Sequence, residues 1–339
     1  MKALQVTVKD NISMTGVKAT CGSKMLADYV PVYNATVIDK LKAAGVTVTS
    51  EPNIKEFDMG KPAALLGLTG IKPTYGAVSR YGLIANAPSM EQIGAVGQNI
   101  HDCAAILEII SGPDNMDSTC VIDKPFKFDI DKEHNKLDGV KIGALTGCPA
   151  AEEFKEAGAV VEEIEMPMLD CMEDIYFIIS CAEMSSNMAR YDGLKYGYRA
   201  DASTLAEVYK QTRSEGFGYE VKRRIMLGNF FLSAGQYDVY YKKALQARTI
   251  VKNNFNDLFK KFDIIATPLT GSNLYIAPAN LAGLPTVTLP PGFQLIGNSF
   301  EEEKLINAAS VYQNMTQHHK NAAINVNGIS TNATWEVGN

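Results

Sequence analysis

The residues able to do chemistry are few and scattered. Lys9 follows a short apolar run, Val6 to Val8. A lysine so placed can act as a base where burial or a neighbouring cation lowers its pKa; otherwise it is a surface charge. Arg223 and Arg224 stand in tandem. A guanidinium suits a carboxylate because its donors fit bidentately, and the plainer reading of the pair is a solvated helix face that also carries Lys222. Ser23 and Ser79 are the hydroxyls considered as nucleophiles, against the plainer reading of side chains bonded to nearby backbone in turns. The four histidines, His101, His134, His318 and His319, show no Ser/His/Asp arrangement. The six cysteines form no C-x-x-C pair, and with so few histidines no zinc-type cluster is expected. Tyr237, Tyr240 and Tyr241 read as helix packing rather than a base-stacking platform, because the basic residues do not alternate with them.

The chain that must position these groups has 339 residues, 46% of them apolar and 21% charged, enough to bury a large core. Its net charge is −6, so a broad basic face for nucleic acid is not expected. Scattered thiols fit a reducing cytosol, and a cytoplasmic location is expected. No run of about 18 apolar residues occurs, so no membrane span is expected, and the start has no long apolar stretch of the secretory type.

The elements alternate. Val6–Val8 reads as a strand, 34–44 as a helix capped by Asn34 and ended by Gly45, and Val46–Thr49 as a second strand, a strand–helix–strand order. The Gly- and Pro-dense stretch 67–82 reads as an ordered loop. A helix is expected near 102–110 and a polar surface excursion over 113–137. Val140–Leu145 and Val160–Ile164 read as strands around a helix at 150–157, which is short for a parallel crossover. Helical patterning covers 171–190, 203–212, 219–232 and 236–260. Strands are expected at 262–266 and 286–289, and a helix at 301–312. The residues after Thr316 read as a poorly ordered tail.

Several strings occur together and in order: Val8-Lys-Asp-Asn11, Cys21-Gly-Ser-Lys-Met-Leu26, Gly70-Ile-Lys-Pro-Thr-Tyr-Gly76, Ser79-Arg-Tyr-Gly-Leu83, Arg213-Ser-Glu-Gly-Phe-Gly218, Glu220-Val-Lys-Arg-Arg-Ile-Met-Leu-Gly228 and Asn280-Leu-Ala-Gly-Leu-Pro285. From about residue 5 to about 312 the chain resembles the amidase signature family, and within it the A-type subunits of the glutamyl-tRNA(Gln) amidotransferases. The resemblance implies an α/β/α fold, a mixed central sheet flanked by helices. It implies one domain over 1–315 with internal deletions, followed by an unmatched, flexible tail over 316–339. It implies cleavage of a carboxamide by a Ser–cis-Ser–Lys triad in which Lys9 takes the lysine position, drawing a proton through a bridging serine from the nucleophile. Arg223 or Arg224 would lie near the carboxylate of glutamine, and Asn273 stands where the family has an Asp that holds the substrate's amino group. The B-type and C-type subunits of the amidotransferase would be partners in a heterotrimer. The A-type subunit needs no cofactor, whereas the B-type subunit uses ATP and Mg and carries the contact with tRNA.

The resemblance also implies a loss. The family keeps both serines in a Gly/Ser-rich segment whose turns bring backbone N–H groups to the oxyanion. Here Glu56-Phe-Asp-Met-Gly60 runs directly into Lys61-Pro-Ala-Ala64, the pieces that flank that segment in the family. Further losses are implied near Cys148–Ala150 and between Phe293 and Gln294. Three functions follow: an A-type component inactive in its present form, a non-catalytic partner-binding homologue, or an amidase with a relocated serine. Losing a segment between strands would also leave apolar edges such as Leu65, Leu66 and Leu68 exposed and sticky.

Overall fold

The computed structural model describes residues 5–51, 55–58, 68–129, 135–167, 169–269, 277–320 and the backbone of 334–338. Apolar alternation drives the first unit. Val6 and Val8 are fully buried in β1 (Gln5–Lys9), which pairs in parallel with β2 (Thr47–Glu51). The connection is α1 (Thr36–Ala43), which buries Val37, Ile38 and Leu41 on one stripe. Asn34 does not cap it: Ala35 is the N-cap, and the Asn34 carboxamide accepts from the Thr15 N–H at 2.8 Å and donates to Asp39 at 2.7 Å. The cap expectation fails because the same amide fastens a neighbouring loop instead.

A ten-stranded sheet follows. Its further strands are β3 (Thr69–Lys72), β4 (Gly94–Gly97), β5 (Lys141–Leu145), β6 (Val160–Ile164), β7 (Ile264–Pro268), β8 (Thr286–Leu289), β9 (Phe293–Gly297) and β10 (Thr334–Gly338), in the order β2-β1-β10-β4-β3-β8-β9-β7-β5-β6. The β1–β10, β1–β2, β5–β6 and β5–β7 pairs are parallel and the other five antiparallel, so the sheet is mixed.

Successive residues point to opposite faces, and both faces are covered. Ile264 and Ala266 of β7 join one core with α1, α2 (Ile100–Ile110), α3 (Ala151–Glu156) and α9 (Glu302–Thr316). Ile265, between them, joins a second core with α4 (Leu169–Asn187), α7 (Tyr241–Leu258) and α8 (Ala277–Ala282). This is the three-layer α/β/α arrangement. The helices α5 (Leu205–Gly216) and α6 (Tyr219–Leu232) complete it, α6 packing along α4.

Four stretches bear on the sequence expectations. The stretch 67–82 is not all loop: its start is β3, held against β4 so closely that a Cβ on Gly94 would meet the Ile71 carbonyl oxygen at 2.2 Å. Glycine thus marks close strand approach here rather than a turn. The short crossover between β5 and β6 closes because α3 needs only Phe154, fully buried, to seat it. Phe293 and Gln294 are consecutive residues of β9, which pairs with β7 on one side and β8 on the other. The stretch expected as a flexible tail ends α9 at Thr316, forms a 3-10 turn at His318–Lys320 and supplies β10 between β1 and β4. Among the described residues no helix is long and apolar enough to cross a membrane. Leu65 and Leu66 lie outside the described residues, and Leu68 is half-buried.

Candidate functional site

Lys9 closes β1 at the sheet's end. The turn after it is fixed by backbone bonds, Asp10 N–H to Glu51 at 2.9 Å and Ile12 N–H to Lys9 at 3.0 Å. The buried Asp10 carboxylate accepts from the Thr20 N–H at 2.9 Å and from the Thr20 hydroxyl. Ile84 donates to the Asn11 carbonyl at 2.8 Å, and Ser13 to that of Gly82 at 2.9 Å. Gly82 sits at φ +85°, and a Cβ there would strike Ala35 Cα at 2.4 Å. The Ser79–Leu83 string therefore seats the lysine turn against the start of α1.

The segment 84–92 is fastened from every side. Glu91 Oε1 accepts from the Asn86 and Ala87 N–H groups, both at 2.7 Å. The Asn86 amide donates to the Phe57 carbonyl at 3.2 Å, and Asn187 of α4 donates to the Asn86 carbonyl at 3.0 Å. Ser89 N–H donates to Glu183 at 2.9 Å, while Arg248 of α7 holds the Ser89 hydroxyl and carbonyl at 2.7 and 2.8 Å. Burial pushes the Glu91 carboxyl up to about 7 against these donors. Burial likewise lowers the Lys72 ammonium of β3 to about 7, opposed by the nearby Glu302.

A satellite apolar cluster ties the lysine loop to the helices. Cys21, Met25 and Phe57 pack with Met184 of α4 and with Phe217 and Val221 at the head of α6. Ser23 lies at its rim. It is buried, accepts from the Met25 N–H and donates to Glu56 at 2.5 Å. Glu56 also accepts from the Gly218 N–H at 2.9 Å, and burial raises its carboxyl. Ser79 is buried and donates to Asp114 at 2.5 Å. Both hydroxyls are buried and serve cap and turn networks.

Arg223 and Arg224 lie on α6, with both guanidiniums over the Phe177 ring of α4, at 5.3 and 5.4 Å from its centroid. Glu220 engages the pair: Arg223 Nε and Nη2 at 2.8 and 2.7 Å, Arg224 Nε at 2.8 Å. These bonds, Arg223's first, hold the Glu220 carboxyl at about 2. A substrate carboxylate would have to share or displace Glu220. Sequence reasoning missed Glu220, Glu56 and Glu91; only Glu220 leaves a signal there, its i,i+3 and i,i+4 spacing to the arginines. Asn273 lies outside the described residues. Tyr240 packs on Phe231 at 5.3 Å, and Tyr237 on Tyr241 at 5.4 Å. His101 bonds Ser310 and His318 bonds Tyr312, each at 3.1 Å. Among the described residues no group of three or more His, Cys, Asp or Glu could hold a metal ion.

A mixed sheet between two helical layers is the fold of amidase-signature structures. The peptide amidase of Stenotrophomonas maltophilia superposes with a TM-score of 0.77 over 93% of this chain and 82% of its own, at 21% identity, a likeness of fold. The family model described as Amidase matches residues 2–61 and 61–275, and the chain belongs to that family. It is 38% identical to the A-type subunit of the glutamyl-tRNA(Gln) amidotransferase of Lachnoclostridium phytofermentans, over 91% of this chain and 82% of that relative. The crystal structure of the corresponding subunit from Thermotoga maritima matches with a TM-score of 0.72 at 29% identity, over 92% of this chain and 84% of that one. The alignment with the Lachnoclostridium protein spans 408 positions but takes in 91% of 339 residues, about 308, so about 100 positions of the relative are skipped within the matched span. The family match breaks at residue 61, in the connection from β2 to β3.

Proposed function

We propose that this chain is an A-type component of a tRNA-dependent amidotransferase that does not itself hydrolyse glutamine. The observation that carries the reading is the coincidence at residue 61. The family match breaks there, about 100 positions of a 38%-identical relative are skipped inside the chain, and neither serine string of the family stands between Gly60 and Lys61. Lys9 keeps the position of the triad lysine, but a lysine alone cannot split an amide by a route that needs a hydroxyl nucleophile. A relocated serine is disfavoured by the burial and carboxylate bonding of Ser23 and Ser79.

In this reading the chain works in the cytoplasm beside the B-type and C-type subunits. Glutamine is the family's ammonia donor, the B-type subunit supplies the ATP- and Mg-dependent step, and tRNA is met through that subunit. Arg223, Arg224 and Asn273 are the remnant of a glutamine pocket. The test is ammonia release from glutamine by the purified chain and by Lys9→Ala. Both are expected at the uncatalysed background. A wild-type rate above background that Lys9→Ala abolishes refutes the reading.

A further inference from the structure

The slot between β1 and β4 is one strand wide. Gln5–Val8 of β1 pair in parallel with Thr334–Val337, and Gly94–Val96 of β4 pair antiparallel with Glu336–Gly338. In the strand order β10 alone stands between them. A strand in this position meets two ladders at once. It must run parallel to β1 and antiparallel to β4, and each of its N–H groups faces one neighbour or the other. A sheet edge imposes only one of these conditions. Where the strand meets Gly94 it carries Gly338.

Segment 334–338 meets these conditions from a distance along the chain. The preceding turn ends at Lys320, and residues 321–333 lead from it to Thr334. A connection of about 14 Cα steps extends to at most about 50 Å, so the strand reaches its own slot or that of a copy lying alongside. Such a tether holds the strand at its own slot at an effective concentration of about 1 mM. A second copy therefore competes as the protein approaches that range. It offers the same strand in the same register, so every ladder bond is kept, and exchange of an identical element between copies costs little. A foreign peptide would have to reproduce both registers.

We propose that the slot between β1 and β4 is a strand-exchange site, filled at high protein concentration by residues 334–338 of a second copy, so that two chains interlock by trading β10. In the interlocked pair the strand that ends at Lys9 is held by the other copy's segment. The exchange is independent of whether the chain hydrolyses glutamine.

Disulfide trapping between full-length chains tests the exchange. Val96 and Glu336 are register partners across β4 and β10, and directly opposed residues bring their Cβ atoms about 4.5–5.5 Å apart, near enough for a disulfide after small adjustment. Two chains of different tag length, one Val96→Cys and the other Glu336→Cys, are mixed at about 10 μM and at about 1 mM and oxidised with diamide. The double variant Val96→Cys/Glu336→Cys, diluted alone, reports the pairing within one chain, and wild type, with its six cysteines, sets the background. A mixed cross-linked pair is expected, its yield rising at least about tenfold between the two concentrations. Val337→Pro in the Glu336→Cys chain removes a ladder donor and is expected to bring the yield down to background. If the double variant closes its disulfide within one chain while the mixture stays at background at both concentrations, the exchange is overturned. A mixed cross-link that Val337→Pro leaves unchanged overturns strand pairing as its origin. No disulfide above background in any arm overturns the slot itself.

Discussion

The buried Glu91 makes stability depend on pH in a direction opposite to most carboxylates. Its ordinary value is 4.5, and burial raises it to about 7 in the fold. A raised folded value means that the folded state holds the proton longer than the unfolded chain does. The stability it contributes is fully present below about 4.5 and is lost as pH rises through about 7. At about 1.4 kcal/mol for each pH unit, the full span corresponds to about 3 kcal/mol as an upper bound. Part of that span is already lost by about pH 5, so about 2 kcal/mol is the figure expected between about pH 5 and about pH 8. Glu91→Gln keeps an acceptor for the Asn86 and Ala87 N–H groups and removes the titration. Urea unfolding of wild type and variant at the two pH values gives the comparison, since all other groups cancel in the difference. Wild type should lose about 2 kcal/mol relative to the variant on going to the higher pH. A difference that stays constant would refute the claim that this carboxyl is held neutral beneath the 84–92 segment.

Two further substitutions test the helix pair. Gly228→Ala gains about 1 kcal/mol in helix propensity, but its Cβ would lie 2.0 Å from the Cys181 carbonyl oxygen and 2.6 Å from Ser185 Cβ. Overpacking of that kind costs about 1–3 kcal/mol or more, so a net loss of stability is expected in thermal unfolding, and a gain would mean α4 and α6 are not in this contact. Glu220→Gln weakens two partly exposed helical ion pairs and is expected to cost about 1 kcal/mol in the same measurement.

Most of the helices, and the parallel strands other than β10, are legible in the sequence, because their apolar spacing is long enough to read. Val37, Ile38 and Leu41 mark α1, and the Gly45 turn marks its end. The strands β3, β4 and β9 are not legible, because they are short and bury nearly every residue, so that no alternation survives. Gly70 reads as a loop residue because the same absence of a Cβ serves a turn and a close strand pair. At the site, Lys9 and the tandem arginines, with Glu220 spaced to meet them, are visible in the sequence, whereas Glu56 and Glu91 are not. Glu56 and Glu91 act on backbone N–H groups distant in the chain or across a turn, and no spacing rule marks such a bond.

The same contrast bears on how the fold survives a break in its family pattern. Where the family match breaks, between β2 and β3, the strand edges of β1 and β4 need partners, and open edges recruit other chains. Here both are met by one segment. β10 pairs in parallel with β1 from Gln5↔Thr334 to Val8↔Val337, and antiparallel with β4 from Glu336↔Val96 to Gly338↔Gly94. In the strand order β10 is the link between the β2–β1 pair and the rest of the sheet, and it comes from residues beyond the family match, which ends at 275. Backbone pairing asks little of side-chain identity, so an unrelated segment can supply it. Amide cleavage asks for a hydroxyl, a bridge and an oxyanion turn at fixed positions, and no backbone ladder can supply those. The sheet can therefore be kept whole around Lys9 by backbone pairing alone, which supplies none of those groups.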